Sequence, residues 1–135
     1  MKIVKELSKS KVEVLEDEKI IIVTSTSNYI PEKQFKEIFN SILDLVKEKS
    51  YEKLIFDKRK MSVFHQPSME WYYLEWKPEA LKYGLRLHRK ILPDNMVFNN
   101  SVQLCKKMLD EQYPDAKYHS IDLEYKNTLE HAILE

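Results

Sequence analysis

Four histidines are the side chains in this sequence best suited to acid–base or metal chemistry: His65, His88, His119 and His131. They show neither His-x-His nor His-Glu-x-x-His spacing, the patterns that place two imidazoles on one metal ion. His88 and His119 fall in segments predicted to be strands and could approach each other across a sheet, but a metal ion needs three or four converging ligands. We therefore expect solvated or hydrogen-bonded histidines, with no metal and no cofactor.

Asp57 is the strongest candidate for a catalytic carboxylate, because it closes a short apolar segment, 53–56, that is typical of a buried parallel strand. Open α/β sheets often bind ligands at the carboxyl ends of such strands. One hypothesis is therefore an enzyme centred on Asp57 with His65 or Arg59. The favoured alternative is structural: Asp57 caps the next turn or pairs with Lys58 or Arg59.

Other marks of an enzyme are missing from the sequence. It contains no glycine-rich phosphate loop and no Gly-x-Ser-x-Gly motif. Cys105 is the only cysteine, which excludes an intramolecular disulfide and a cysteine zinc site. Since Phe98, Val102, Cys105 and Leu109 share helical spacing, the thiol is predicted to face the core, where thiols are usually inert. The sequence predicts a protein that is not an enzyme.

The elements that must position these residues alternate between strands and helices. Branched apolar residues predict strands at 12–15 and 20–23, joined into an antiparallel hairpin by the polar run 16–19. A first helix is predicted from Pro31 because apolar residues then recur every three or four positions: Phe35, Ile38, Phe39, Ile42, Leu45 and Val46. The segment 53–56 follows as a short buried strand.

The second half of the chain continues this alternation. Helices are predicted at 68–83, with a bend near Pro78 and an end at Gly84, and at 97–108; strands are predicted at 85–92 and 119–125. Asn127 and Glu130 are spaced like a capping box that begins a last helix. The pattern predicts an α/β fold: a mostly parallel, four- to five-stranded sheet, opened by an antiparallel hairpin and flanked by about four helices.

The segment after Asp57 carries a resemblance to a known family. Lys58-Arg59-Lys60-Met61 precedes the run Trp71-Tyr-Tyr-Leu-Glu-Trp76-Lys-Pro78-Glu-Ala80, which Tyr83-Gly84 follows. With the hairpin, helix and strand before it, this segment resembles the bacterial SpoIIAA-like family, which shares the STAS and Sec14 type of fold. The resemblance extends from about Val12 onward. It implies a sheet of four or five strands flanked by helices, and it implies the fold more than the function.

The best understood STAS relatives are anti-sigma factor antagonists that are switched by phosphorylation of a serine in an Asp-Ser-Ser-Gly-like segment. Counted from Asp57, the corresponding stretch here is His65-Gln66-Pro67-Ser68, which lacks the acidic residue and the serine pair. Asp57, His65 and Ser68 are therefore the candidate switch-loop positions. Ser68 or Ser62 could still accept a phosphate near a helix start, but a serine in or near an N-cap is the favoured interpretation.

Charge and composition limit the partners and the compartment. The 135 residues include 22 lysines and arginines and 22 aspartates and glutamates, so no net field steers the chain towards nucleic acid or an anionic membrane. The longest apolar runs are far below the roughly 18 residues of a membrane span. Charges near the N-terminus are unlike a signal peptide, so a cytoplasmic protein is predicted. Without a linker or internal repeat, residues 1–135 are predicted to form one domain.

The helix predicted at 68–83 has too many apolar residues for one face. At about 100° per residue, one stripe is predicted to pack inwards: Met69, Tyr73, Trp76, Ala80 and Tyr83. Trp71, Leu74 and Leu81 lie roughly opposite, together with Pro78, and are the candidate interaction surface. They are left for a neighbouring helix of the same chain, a second subunit or a ligand. Alternatively, the loop at 61–64 folds back over them.

Three functions remain open. The favoured one is a regulatory or scaffolding module that acts by protein contact, with a protein partner or a second copy as a homodimer. The second is a carrier or sensor of a small apolar ligand, which the kinship with Sec14 lipid-transfer proteins implies. The third is the enzyme centred on Asp57. A pocket with convergent polar groups at the carboxyl end of the sheet would favour an enzyme, and a flat apolar patch would favour the interaction module.

Overall fold

The computed structural model describes residues 2–135 and contains one six-stranded sheet. The strands, in spatial as well as sequence order, are β1 (Lys2–Glu6), β2 (Ser10–Leu15), β3 (Ile20–Ser25), β4 (Lys53–Asp57), β5 (Leu87–Ile91) and β6 (Asp122–Tyr125). β1, β2 and β3 are antiparallel, whereas β3 to β6 are parallel. The predicted α/β fold class, with its hairpin and mostly parallel sheet, is confirmed, and the sheet also includes β1, which the sequence analysis did not predict.

The helices are α1 (Glu32–Lys49), α2 (Gln66–Trp71), a π-helix (Tyr72–Trp76), α3 (Lys77–Lys82), α4 (Met96–Gln112), a 3-10 helix (Lys117–Ser120) and α5 (Leu129–Leu134). Side chains of α1 to α4 share the main core with one face of the sheet. α5 lies on the other face, where Ala132 packs against isoleucines of the parallel strands. Because side chains alternate along a strand, Ile21 joins the first core and Ile22 the second.

The apolar stripes predicted for α1 and α4 face the core. In α1, Phe35, Ile38, Phe39, Ile42 and Val46 are buried, and only Leu45 of the predicted stripe is partly exposed. In α4, Phe98, Val102, Cys105 and Leu109 are all buried, which confirms the predicted position of the thiol. Burial also raises the pKa of Cys105, so the thiolate is disfavoured.

A π-helical turn interrupts the helix predicted at 68–83. The backbone N–H of Lys77 donates to the carbonyl of Tyr72, five residues back, and Pro78, which has no N–H, follows directly. The wider turn brings Tyr72, Tyr73, Trp76 and Lys77 to one buried face. A spacing of 100° per residue over 68–83 predicts that Lys77 lies between the two apolar stripes; this prediction is wrong, because the π-helix changes the angular spacing and Lys77 is buried.

Smaller differences concern the ends of elements. His119 lies in the 3-10 helix and not on a strand, because β6 begins at Asp122. The N-cap of α5 is Thr128, whose hydroxyl accepts a hydrogen bond from the N–H of His131, and not Asn127. α3 ends before Gly84 as predicted; Gly84 has a φ of 108°, a conformation that glycine adopts without strain.

Candidate functional site

A small cavity, partly open to solvent, lies at the carboxyl end of the parallel strands, under the helical layer. Its volume is about 30 Å³. The walls are mostly apolar and come from α1 (Phe35), β4 (Phe56), the following loop (Met61 and Phe64) and α4 (Val102). Lys58, His65, Ser68, Tyr72 and Lys90 supply the polar atoms of the lining. The cavity therefore combines an apolar wall with converging basic groups, at the edge where open α/β sheets bind ligands.

The pairing of β4 with β5 brings Lys58 beside Lys90. Phe56 of β4 is the partner of Lys90 in the parallel register. The backbone N–H of Lys58 donates to the carbonyl of Ile91 at 2.8 Å, which keeps the chain beside β5 for one more residue. Since alternate residues point to the same face, Lys58 follows Phe56 to the helical side of the sheet, and His88 and Lys90 point to that side too.

Three lysines, Lys58, Lys77 and Lys90, are buried in this region, at 8%, 1% and 0% exposure. Within residues 2–135 no carboxylate oxygen lies within 4 Å of any of the three ammonium groups. The nearest acidic influence on Lys77 comes from Asp110, which is already paired with Lys106 at 2.7 Å. These amino groups are therefore buried without an anionic partner from residues 2–135.

Aromatic residues provide close contacts that compensate the buried lysines, and the amino group of Lys58 lies 4.9 Å from the ring centroid of Phe56. The amino group of Lys90 donates to the hydroxyl of Tyr73 at 2.8 Å. The amino group of Lys77 lies 3.8 Å from the ring centroid of Tyr73 and 5.0 Å from that of Tyr72, within the range of cation–π attraction. Burial raises the pKa of both tyrosines well above the ordinary value, so their hydroxyls stay protonated.

Burial lowers the pKa of each of the three lysines. The pKa of Lys58 falls to about 8. The pKa of Lys77 and that of Lys90 are held well below the ordinary value by burial and then by the repulsion of neighbouring lysines. Burial likewise lowers the pKa of His88 well below 6.5, so its imidazole is neutral; the Tyr72 hydroxyl lies 2.8 Å from its Nε2 atom.

Two of the three predicted switch-loop positions belong to the cavity. His65 is the N-cap residue of α2, and its Nδ1 atom lies 3.0 Å from the hydroxyl of Ser68; both residues line the cavity. Ser68 is the third residue of the helix and only 2% exposed, so its hydroxyl is poorly accessible to a kinase. This burial supports the structural interpretation of Ser68 over a phosphorylation switch.

Asp57 lies away from the cavity. It follows Phe56 on β4 and points to the opposite face of the sheet, because side chains alternate along a strand. Its two carboxylate oxygens accept from the Arg59 guanidinium at 3.0 and 2.6 Å, and one also accepts from the Arg59 backbone N–H. Asp57 thus caps the turn and pairs with Arg59, which is the structural role favoured by the sequence.

The three residues of the candidate interaction surface, Trp71, Leu74 and Leu81, are partly buried. The ring of Trp71 meets the ring of Phe35 edge-on at 6.2 Å between centroids, and the Lys36 amino group lies 5.6 Å from the indole. Leu74 also packs against the main core. Part of this surface is therefore used in contacts within the chain, mainly to α1.

The opposite stripe is buried at Met69, Tyr73, Trp76 and Ala80, whereas Tyr83 is exposed, contrary to prediction.

The burial of these three lysines is not predicted by the sequence pattern. Lysine side chains are rarely buried, so a lysine in a sequence is normally predicted to be exposed to solvent. The only signal was in β5, where Lys90 alternates with His88 inside a segment that is otherwise typical of a buried strand. Nothing in the local sequence shows that Lys58 and Lys77 point to the same place.

Neither a cluster of potential metal ligands nor a membrane-spanning helix is found in the part of the chain that the structure describes. Residues 2–135 contain no group of three or more His, Cys, Asp or Glu side chains that could hold a metal ion. None of the helices described is long and apolar enough to cross a membrane. Neither a protein-family model nor a curated protein matches this chain.

Proposed function

We propose that this domain binds a small organic anion, a carboxylate with a short apolar part, in the cavity between Lys58 and Lys90. The observation that carries the proposal is the burial of three lysines without a carboxylate within 4 Å. Stability alone does not favour such an arrangement, because a lysine buried without a partner costs free energy whether it stays charged or gives up its proton. A negatively charged ligand would supply the missing partner.

The lining of the cavity suggests the character of the ligand. A carboxylate can accept from the amino groups of Lys58 and Lys90, which both line the cavity. The walls formed by Phe35, Met61 and Phe64 would contact an apolar part. This chemistry agrees with the expected kinship with Sec14-type carriers, although the ligand proposed here carries a charge.

The size of the cavity limits the ligand. A volume of about 30 Å³ is close to the share of one water molecule in the liquid, whereas about 150 Å³ accepts benzene. Only the smallest carboxylates would therefore fit, and side chains must move to admit them. Met61 and Phe64 lie in the loop between β4 and α2, outside any helix or strand, and methionine adapts its shape readily.

Thermal unfolding in chloride-free buffer tests this proposal. Acetate, butyrate, chloride and phosphate are added separately, and a ligand that binds only the folded state raises the Tm with concentration. We expect acetate to raise the Tm of the natural protein more than chloride or the larger butyrate does. Lys58→Met should lose this response, while Lys60→Met, a change at an exposed lysine of the same loop, should keep it.

Two results would contradict the proposal. One is the absence of any rise in Tm with either carboxylate. The other is an equal response of the Lys58→Met and Lys60→Met variants, which would place the effect on the protein surface. An equal response to chloride and to the carboxylates would indicate a site for inorganic ions and would also count against an organic ligand.

A further inference from the structure

Lys58 and Lys90 line the same cavity and are both buried, at 8% and 0% exposure. Two ammonium groups in one buried site repel each other, and burial disfavours the charged form of each. No carboxylate oxygen lies within 4 Å of either amino group to offset these effects, so we expect one of the two lysines to be a neutral amine. The cavity therefore holds an amine and an ammonium group side by side, and a neutral amine is a nucleophile.

The surroundings favour Lys90 as the neutral member of the pair. Lys90 is completely buried and Lys58 is slightly exposed. The charged groups that act on Lys90 are Lys58, Lys77 and Lys106, and its closest polar and aromatic contacts are the Tyr73 hydroxyl and the rings of Tyr72 and Tyr73, so no carboxylate favours its protonated form. Lys90 also lies on β5, between β4 and β6, where the sheet holds its backbone in place.

We propose that the Lys90 amine forms an imine with the carbonyl carbon of a small 2-oxo acid, while the Lys58 ammonium holds the acid's carboxylate. This inference rests on the proposed carboxylate site. A 2-oxo acid carries its carbonyl and carboxylate on adjacent carbons, which matches two adjacent amino groups. Glyoxylate and pyruvate, the smallest such acids, suit the small cavity.

The chemistry is a condensation without oxidation or reduction. The nitrogen lone pair of Lys90 attacks the carbonyl carbon, and the carbonyl electron pair moves to oxygen. The nitrogen then loses both protons of the neutral amine, a C=N bond forms, and the oxygen leaves as water. The Tyr73 hydroxyl, 2.8 Å from the Lys90 nitrogen, holds the amine in position.

Reductive trapping tests the imine. The full chain is incubated with glyoxylate and sodium cyanoborohydride, which converts an imine on lysine into a stable carboxymethyl amine, and the modified residue is located by peptide mass spectrometry. We expect the adduct on Lys90 to form at least about tenfold faster than on the exposed Lys60, because a lowered pKa leaves a larger neutral fraction. Acetate should slow labelling at Lys90 and leave labelling at Lys60 unchanged.

Variants separate this inference from the proposed carboxylate site. Lys90→Met should remove the fast adduct, and Lys58→Met should slow it by removing the partner of the carboxylate. If acetate raises the Tm but no adduct forms at Lys90, the imine is overturned and the carboxylate site stands. If acetate has no effect on the Tm or on labelling, both are overturned. An adduct found only on exposed lysines also overturns the imine.

Discussion

Burial sets an energetic cost for the protonated side chain of Lys58. Its pKa is lowered by burial from 10.5 to about 8, and Lys90, Lys77 and His88 surround it without an opposing charge. Between these two pH values the unfolded chain binds more protons at this residue than the folded chain does. Linkage then requires the free energy of unfolding to rise with pH in that window, because the cost of burying the protonated Lys58 disappears. As the pH falls through the window, this stability is lost, and below about 8 the full cost is present.

A Lys58→Met variant measures this cost. Each pKa unit corresponds to about 1.4 kcal/mol, so we expect the variant to raise the free energy of unfolding at pH 7 by about 1–3 kcal/mol. The gain should shrink as the pH approaches 10. Urea unfolding at intervals from pH 7 to pH 10 gives both numbers, and comparison with the natural protein at each pH cancels the contribution of tyrosine ionisation, which both proteins share. Lys60→Met serves as the control, and a gain that does not depend on pH would contradict the assignment.

At the same scale, Asp57 illustrates why residue type alone is a weak guide to function. A carboxylate at the carboxyl end of a buried strand is a reasonable catalytic candidate. Its environment depends on whether it points to the helical face or to the other face. Here the Arg59 guanidinium occupies both carboxylate oxygens. Lys58, the next residue, points into the cavity and carries the proposed function instead.

Among the elements, the π-helix has the largest effect on the site. A regular α-helix would rotate Lys77 by about 100° from Trp76. The wider turn keeps both on the buried side, where the Trp76 Nε1–H donates to the carbonyl of Phe39 at 2.6 Å. π-helical turns are rare and occur frequently at functional sites. This turn adds a third cation to the region around the cavity.

The element-scale prediction concerns Trp71, Leu74 and Leu81. Trp71→Ala removes the ring that contacts Phe35 on α1, so we expect the free energy of unfolding to fall by about 2 kcal/mol or more with no change in association. Leu81→Ala is measured in parallel. Urea unfolding gives the stability and sedimentation gives the oligomeric state. Leu104→Ala, at an exposed position of α4, is the control for a change outside the core.

The opposite result would support an interface. If the alanine variants at 71 and 81 abolish dimerisation or partner capture while stability changes by less than roughly 1 kcal/mol, the surface takes part in association. The regulatory or scaffolding module favoured by the sequence would then be correct. Such a module and a ligand site are compatible, because the cavity and this surface involve different side chains.

For the whole molecule, a single sheet joins the hairpin to the parallel strands. The main core contains residues from β2 and β3, the central strand β4 and helices α1 to α4. The second core couples β3, β4 and β5 to α5. The two cores share strands, so unfolding one should expose the other.

We therefore expect one cooperative unfolding transition. Tryptophan fluorescence, which reports Trp71 and Trp76 in the helical layer, and far-ultraviolet circular dichroism, which reports the whole backbone, should give the same urea midpoint. Two separate midpoints would show independent units and would contradict the prediction that the chain forms one domain. The Lys60→Met variant provides a matched sample with an unchanged core.

The amino-acid sequence determined the elements and their buried faces. Helical periodicity predicted the core side of α1 and α4, and alternating strands and helices predicted the fold class. These are local properties, because a repeat along the chain fixes which side of an element is apolar. Boundaries were less accurate where a cap or turn depends on one hydrogen bond, as with Thr128 at the start of α5.

Only the tertiary structure decided where the candidate site lies. Lys58, Lys77 and Lys90 belong to three separate segments, and Lys58 and Lys77 resemble solvent-exposed lysines in their local sequences. They converge because β4 pairs with β5 in one register, because alternation turns Lys58 and Lys90 to the same face, and because the π-helix rotates Lys77 inwards. Strand register and helix rotation depend on contacts between distant residues, so neither can be predicted from the periodicity of a single segment.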